Sequence, residues 1–182
     1  MAVVAVSTAC AGDTASGPWL TITDYRGTDW VTDGTVKPPA TPDREDRVRY
    51  PHSMDGAVMA AVDSQTLLDT ASDTEFGAVA RDYFTAGDGL NAYAAARAQL
   101  TVHGIDHSRV PRVRGFRFFG YDDTTATVEV FTEQPDHSVT GLVRRLVWLG
   151  ENWLIQLPAP KTEKTITAYP VLPGDVNPLP QT

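Results

Sequence analysis

The sequence predicts an α+β fold in which N-terminal helices pack on a curved four-stranded antiparallel sheet, with extended segments at both ends. Two patterns in the 182 residues predict it. Apolar residues recur at helical spacing between Ser53 and Leu100, and they alternate with polar residues between Arg112 and Leu157. A leader rich in Pro, Thr and Asp comes first, and prolines dominate the end of the chain. We therefore divide the chain into segments 1–10, 11–52, 53–158 and 159–182.

Three helices are predicted in the segment 53–158. The first begins at Ser53, whose hydroxyl suits the N-cap position. The second begins at Ser72 or Asp73, and the third runs from Leu90 to Leu100. Apolar residues at positions i, i+3, i+4 and i+7 give the second helix one buried face. This face consists of Phe76, Val79, Ala80 and Tyr83.

Four strands follow, because the period of the apolar pattern changes to two. Turn residues separate them, and the last turn, Gly150 to Asn152, is short enough for a tight hairpin. The third strand is apolar on both faces except for Arg144 and Arg145, so we interpret it as the central strand. The predicted strands are 112–121, 126–131, 142–149 and 153–157.

The composition of residues 11–52 is typical of an extended spacer, since it offers little apolar surface to bury. Trp19, Tyr25 and Trp30 are the exceptions. Their large rings predict that part of the leader lies back on the domain.

The first ten residues are small and apolar, and the stretch Ser7 to Cys10 resembles the end of a bacterial lipoprotein signal peptide. The resemblance implies that Cys10 is lipidated and that the protein is extracytoplasmic, either secreted or bound to the membrane only through this anchor. The alternative is an apolar N-terminus with an incidental cysteine. Cys10 is the one cysteine of the chain, so an intrachain disulfide is excluded.

The net charge of -8 argues against nucleic-acid binding, which needs clustered Lys and Arg. His103, Asp106 and His107 form the most metal-like cluster of the sequence. A zinc site needs three or four ligands with further support, so we interpret this cluster as a polar loop. We expect neither a metal nor a cofactor.

The order of elements resembles the nuclear-transport-factor-like cone fold, also called ketosteroid-isomerase-like or cystatin-like. The resemblance covers about Ser53 to Leu157, and it is carried by Leu146 to Ile155, a strand, a tight polar turn and a Trp-led strand. In that fold, helices fill the concave side of a curved antiparallel sheet. A cone-fold domain is therefore implied here.

A narrower resemblance is to envelope proteins encoded on actinobacterial mobile elements. It rests on Pro51 to Val62, with the pattern Gly-Ala-x-x-Ala-Ala, on the leader stretch Trp30 to Pro38 and on the strand Val128 to Phe131. The resemblance implies similarity to the extracytoplasmic domain of type IV secretion scaffolds, which holds other machine parts together and catalyses nothing.

From these resemblances we predict a non-enzymatic, envelope-associated scaffold, an accessory of a conjugation or secretion apparatus with protein partners in the envelope. Aromatic residues lie on both faces of the predicted sheet, so the face away from the helices is also apolar. We expect any homo-oligomer to form through this outer face.

The alternative hypothesis is a small-molecule-binding or enzymatic protein that uses the cavity between helices and sheet. Its candidate polar residues are Tyr83, Tyr93 and Arg144. For Arg144 we favour an ion pair with Glu129 across the sheet, because a lone buried charge is costly. Binding of an anionic ligand is the other interpretation.

Overall fold

The computed structural model describes residues 20–42, 45–100, 110–160 and 164–180. Over these residues the protein is α+β, as predicted, with three helices, a two-stranded sheet and a six-stranded antiparallel sheet. The helices are α1 (Met54–Thr70), α2 (Phe76–Tyr83) and α3 (Asp88–Arg97). The strands are β1 (Thr21–Tyr25), β2 (Thr28–Thr32), β3 (Arg112–Tyr121), β4 (Thr125–Glu133), β5 (Val139–Leu149), β6 (Asn152–Gln156), β7 (Ile166–Tyr169) and β8 (Asn177–Pro178).

The large sheet is built around β3, β4, β5 and β6, which pair antiparallel with their neighbours in sequence. The turn between β5 and β6 has positive φ at Gly150 (57°) and Glu151 (70°), as a tight two-residue hairpin requires. The sheet has six strands rather than the predicted four. The additional strands come from the predicted extended tail, since β7 pairs with β5 and β8 pairs with β3.

Helix α1 is the centre of the core. The hydroxyl of Ser53 accepts a hydrogen bond from the Gly56 N–H (3.1 Å), as predicted for the N-cap. A Cβ at Gly56 would overlap the Pro51 carbonyl, so the close approach of the chain needs glycine here. Contacts with β2 on one side and with β4, β5 and β6 on the other leave α1 buried almost throughout.

The residues before α2 form hydrogen bonds of the kind that a Ser72 cap predicts. The Ser72 hydroxyl accepts from the Glu75 N–H (3.3 Å), and the Glu75 carboxylate accepts from the Ser72 N–H (2.8 Å). This reciprocal pair is a capping box, which fixes the turn before the helix. The regular helix then begins at Phe76.

The described part of the leader, from Leu20 onward, belongs to the core, as the rings of Tyr25 and Trp30 predicted, so the packed domain begins before the boundary placed at residue 52. β1 and β2 form a hairpin through Arg26 and Gly27, both with positive φ. Trp30 and Val31 of β2 are fully buried, and the Asp63 carboxylate of α1 accepts a hydrogen bond from the Val31 N–H (2.8 Å). The spacer-like composition therefore conceals a packed hairpin. Among the described residues, no helix combines the length and apolarity needed to cross a membrane.

Candidate functional site

A hollow of about 530 Å³ lies between α1 and the sheet. We call the face of the six-stranded sheet that packs on α1 its inner face. Val130 and Leu142, which are cross-strand partners, form the apolar floor, and Val62 of α1 lies among the opposite lining residues. The volume falls within the range of small-molecule sites, about 300–1,000 Å³.

Arg144 is on this inner face. It lies opposite Val128 on β4, whereas Glu129 lies opposite Val143. Since successive side chains of a strand point to opposite faces, Arg144 and Glu129 are on different sides of the sheet. The favoured ion pair between them is therefore wrong.

The Arg144 guanidinium has one described partner in the hollow. Its Nη2 donates to Oε1 of Gln65 on α1 (2.7 Å), and it makes no ion pair with any residue that the structure describes. Burial lowers the pKa of Arg144 to about 10, so the side chain remains a cation at neutral pH.

Gln65 links Arg144 to a carboxyl group one helical turn further along α1. Its Nε2 donates to Oδ1 of Asp69 (2.6 Å), which also accepts from the Tyr93 hydroxyl (3.3 Å). Loss of solvation beside the surrounding protein atoms raises the pKa of Asp69, although part of the residue is exposed to solvent. Burial also raises the pKa of Tyr93 to about 12, so this phenol stays protonated.

A second polar group lies at the far end of the floor. Thr132 and Thr140 are cross-strand partners whose hydroxyl oxygens are 2.9 Å apart. The Gln134 side-chain amide donates to both, at 3.3 Å to Thr132 and 3.0 Å to Thr140. All three residues line the hollow.

The other carboxylate of the hollow is already engaged by the fold. Asp29 of β2 accepts from the Val113 N–H (2.6 Å) and from Nη1 of Arg112 (2.8 Å). These bonds attach the leader hairpin to β3. Asp29 therefore closes one wall of the hollow.

The opposite face of the sheet carries a closed ionic network. The Glu129 carboxylate is buried, and it accepts from Nη2 of Arg117 (2.6 Å) and from the Tyr169 hydroxyl (2.9 Å). Arg117 also pairs with Asp175 (2.7 Å). The C-terminal segment thus covers part of this outer face, including Phe131, whose ring contacts Tyr169.

Of the three predicted cavity residues, Arg144 lines the hollow and Tyr93 reaches it through Asp69. Tyr83 is elsewhere, since its buried hydroxyl accepts from the Val48 N–H (2.8 Å) in the leader. Cys10 lies outside the described residues. The loop His103 to His107 also lies outside the described residues. Among the described residues, no cluster of three His, Cys, Asp or Glu side chains has the arrangement of a metal site.

Sequence reasoning missed Gln65, Asp69 and the threonine pair. Gln65 and Asp69 are separated by four positions on α1, a spacing at which side chains meet on a helix. Thr132 and Thr140 continue the inner-face alternation of their strands. These signals show which residues share a face, but they do not show which helix face meets which strand.

A family model described as a domain of unknown function, DUF8175, matches residues 5–176. Because the match covers most of the chain, the protein belongs to this family. The match includes the leader and the residues after Pro158, which contribute to the packed core and to the large sheet. No curated protein and no solved structure matches the chain.

Proposed function

We propose that this DUF8175 family member is a non-enzymatic binding protein that holds a small anionic ligand in the hollow. One observation carries the proposal: the Arg144 guanidinium faces the hollow and, among the described residues, its one hydrogen-bond partner is the neutral Gln65. A guanidinium has five N–H donors in a fork that matches a carboxylate or sulfonate. An anion at this position completes the hydrogen bonding of the cation.

The free-energy cost of holding an unpaired cation among protein atoms supports the same proposal. A cation held among protein atoms is costly unless it is paired, and proteins rarely keep such a group without a use. The apolar floor of Val130 and Leu142 excludes water from one side of Arg144, which strengthens its attraction for an anion. An anion with an apolar body therefore fits better than a small inorganic ion.

Binding rather than turnover is proposed because both carboxyl groups that line the described hollow accept hydrogen bonds from the chain itself. Asp29 holds the leader hairpin to β3, and Asp69 is held by Gln65 and Tyr93. A general base has to reach a substrate proton with a free lone pair at short distance. Asp29 has both oxygens engaged, and among the described residues no second acid or base lies within hydrogen-bond distance of Asp69 Oδ2.

The proposal includes the cone fold as the architecture of the site. Two register shifts in β3, between Val113 and Gly115 and between Phe118 and Gly120, support it, because bulges bend a strand. The placement of α1 against one face of the sheet also supports it. A solved structure with β3 running straight would contradict this part of the proposal.

The test compares Arg144→Gln with Arg145→Gln, which removes a charge from the adjacent residue on the other face. The probes are octanoate and octanesulfonate, measured by isothermal titration calorimetry. We expect binding to the unchanged protein and to the Arg145 variant, and a loss of at least about tenfold in the Arg144 variant. Equal affinities in the two variants, or no binding to the unchanged protein, would overturn the proposal.

We also propose that the protein is anchored in the cell envelope through Cys10 and acts there with protein partners, as an accessory of a conjugation or secretion apparatus. Leu20, the first described residue, is already buried in the core. The tether of this proposal is therefore confined to residues 11–19, which span at most about 30 Å when extended. A tether of this length holds the domain close to the membrane surface.

The envelope proposal is tested in the native host by fractionation and mass spectrometry of the N-terminus. We expect a lipid-modified Cys10 in the membrane fraction, and release of the protein from that fraction by Cys10→Ser. An unmodified N-terminus in the cytosol would contradict the envelope role and leave ligand binding by the hollow unaffected.

A further inference from the structure

The hollow has a polar group at each end of its apolar floor. On the inner face of β5, Thr140, Leu142 and Arg144 follow one another, and their partners on β4 are Thr132, Val130 and Val128. Thr140 and Arg144 are four residues apart, which places their Cα atoms about 14 Å from each other along the strand. A linear ligand lying along β5 meets a cation, then apolar side chains, then hydroxyl groups.

Among the residues that the structure describes, the threonine end has an unused donor. Each hydroxyl has one hydrogen, and the contact between Thr132 and Thr140 uses one of the two. The Gln134 amide donates to both oxygens, so it supplies hydrogens and takes none from them. One threonine hydrogen therefore remains to be donated, whichever hydroxyl donates to the other.

Solvent alone does not account for this arrangement. Thr132 and Thr140 are partly buried, and they face the same hollow as Leu142 and Val130. Valine at these positions would have continued the apolar floor with the same shape. The two hydroxyls instead form a polar end wall at the distance of a medium-length chain from Arg144.

From this arrangement, and resting on the proposed function, we infer that the ligand is a medium-chain amphiphile with an anion at one end and a hydrogen-bond acceptor, such as a hydroxyl or carbonyl oxygen, at the other. The anion contacts Arg144, the methylene chain covers Leu142 and Val130, and the terminal oxygen accepts from the threonine pair. A simple fatty acid leaves the threonine hydrogen without a partner. An omega-hydroxy acid satisfies it.

The test measures affinity by calorimetry for octanoate and omega-hydroxyoctanoate, with the hexanoate and decanoate pairs to find the chain length that spans the floor. In the unchanged protein we expect the hydroxylated ligand of the best length to bind about five- to tenfold tighter, as one hydrogen bond in a partly buried site gives. In the double variant Thr132→Val, Thr140→Val, which conserves shape, we expect this preference to vanish while simple carboxylates bind at least as well.

Serine at both positions keeps the hydroxyls and provides the matched control, which we expect to retain the preference. Thermal unfolding of each variant shows that the comparison is made between folded proteins. Carboxylates could bind in a manner that depends on Arg144, with no preference for the omega-hydroxylated ligand at any chain length. In that case the inference about the threonine end is wrong and the proposed function stands. If no anion binds, both are overturned.

Discussion

Each face of the large sheet carries an arginine, and the two arginines differ in how many partners the fold gives them. On the outer face, Arg117 makes four hydrogen bonds, to Glu129, Asp175 and Tyr169, and its guanidinium lies over the rings of Phe119 (5.1 Å) and Phe131 (5.3 Å). On the inner face, the described bonding of Arg144 is a single contact with Gln65.

We interpret this difference as one between a structural arginine, Arg117, and a ligand-binding arginine, Arg144. The outer arginine joins β3 and β4 to the C-terminal segment, so its partners come from the chain itself. The inner arginine contacts α1 through Gln65 and lies opposite Val128 on β4, yet neither element places a carboxylate within ion-pair distance of it. The fold neutralises the outer arginine completely, whereas the inner one has a single amide contact and a carboxylate, Asp69, beyond ion-pair distance. The hollow beside Arg144 has room for an anion.

The largest expected effect is on stability when the outer network is broken. Arg117→Met leaves the Glu129 carboxylate, 1% exposed, with one neutral partner. We expect the free energy of unfolding to fall by about 3 kcal/mol, as is typical when one partner of a buried ion pair is removed. Arg144→Met is the matched variant and should change stability by less than about 1 kcal/mol. Urea unfolding of both measures the difference, and equal losses would contradict the comparison.

Gly141 tests how tightly the outer network is packed. A Cβ at Gly141 would overlap the Glu129 carboxylate, which is fixed by Arg117 and Tyr169. We expect Gly141→Ala to lower the free energy of unfolding by about 2 kcal/mol, the usual scale of overpacking.

Gly120→Ala is the control for this substitution, since a Cβ at Gly120 meets open space. It should leave the unfolding midpoint unchanged or slightly raised, because alanine reduces the freedom of the unfolded chain. If both alanine variants unfold at the same denaturant concentration, the Glu129 carboxylate is not fixed in place.

Arg26, in the leader, is a third arginine whose partner is a carboxylate of the chain itself. Arg26, in the hairpin turn, contacts both carboxylate oxygens of Glu75 (2.7 and 3.1 Å). Its hydrogen bonds hold the pKa of Glu75 down at about 2, compared with 4.5 for the free side chain. Because the folded pKa is the lower one, the stabilisation is complete above pH 4.5 and is lost as pH falls towards about 2.

Partial exposure of both side chains limits this contribution to about 1 kcal/mol. We expect Glu75→Gln to be less stable than the unchanged protein by that amount at neutral pH. The two proteins should converge as acid is added, when unfolding is measured from about pH 6 to about pH 2. A difference that stays constant with pH would show that the ion pair does not stabilise the leader.

Local sequence patterns predicted the elements well wherever short-range geometry decides them. The predicted strand from Arg112 to Tyr121 has the bounds of β3, and Ser53 caps α1 as expected. The hairpin at Gly150 forms as its residues require. Each of these depends on neighbours within a few positions.

The parts that failed depend on contacts between distant residues. The ring of Trp30 predicted that part of the leader lies back on the domain, and its burial confirms this, but the sequence did not show that β2 packs on α1. Arg144 and Gln65 are 79 positions apart, and their contact depends on how α1 lies over β5. The alternation of β4 already placed Glu129 on the face away from Arg144, so the ion-pair error was avoidable from the register alone.

The smallest expected effect is on the pH dependence of binding. The pKa of Asp69 is raised by partial loss of solvation, and its carboxylate is close enough to influence Arg144 electrostatically. As pH falls through this raised pKa, Asp69 becomes neutral and stops repelling an anion bound at Arg144. As pH is lowered from about 8 through this raised pKa, we therefore expect octanesulfonate, which stays charged, to bind about threefold tighter.

Asp69→Asn is the variant that isolates this effect, because the amide keeps the shape of the side chain and does not titrate. Arg144, with a pKa of about 10, and Tyr93, with a pKa of about 12, keep their protonation states over the same interval. The affinity of the variant for octanesulfonate should therefore be independent of pH in calorimetric titrations. Weaker binding at low pH in the unchanged protein, or the same slope in the variant, would mean that the anion is not held beside Asp69.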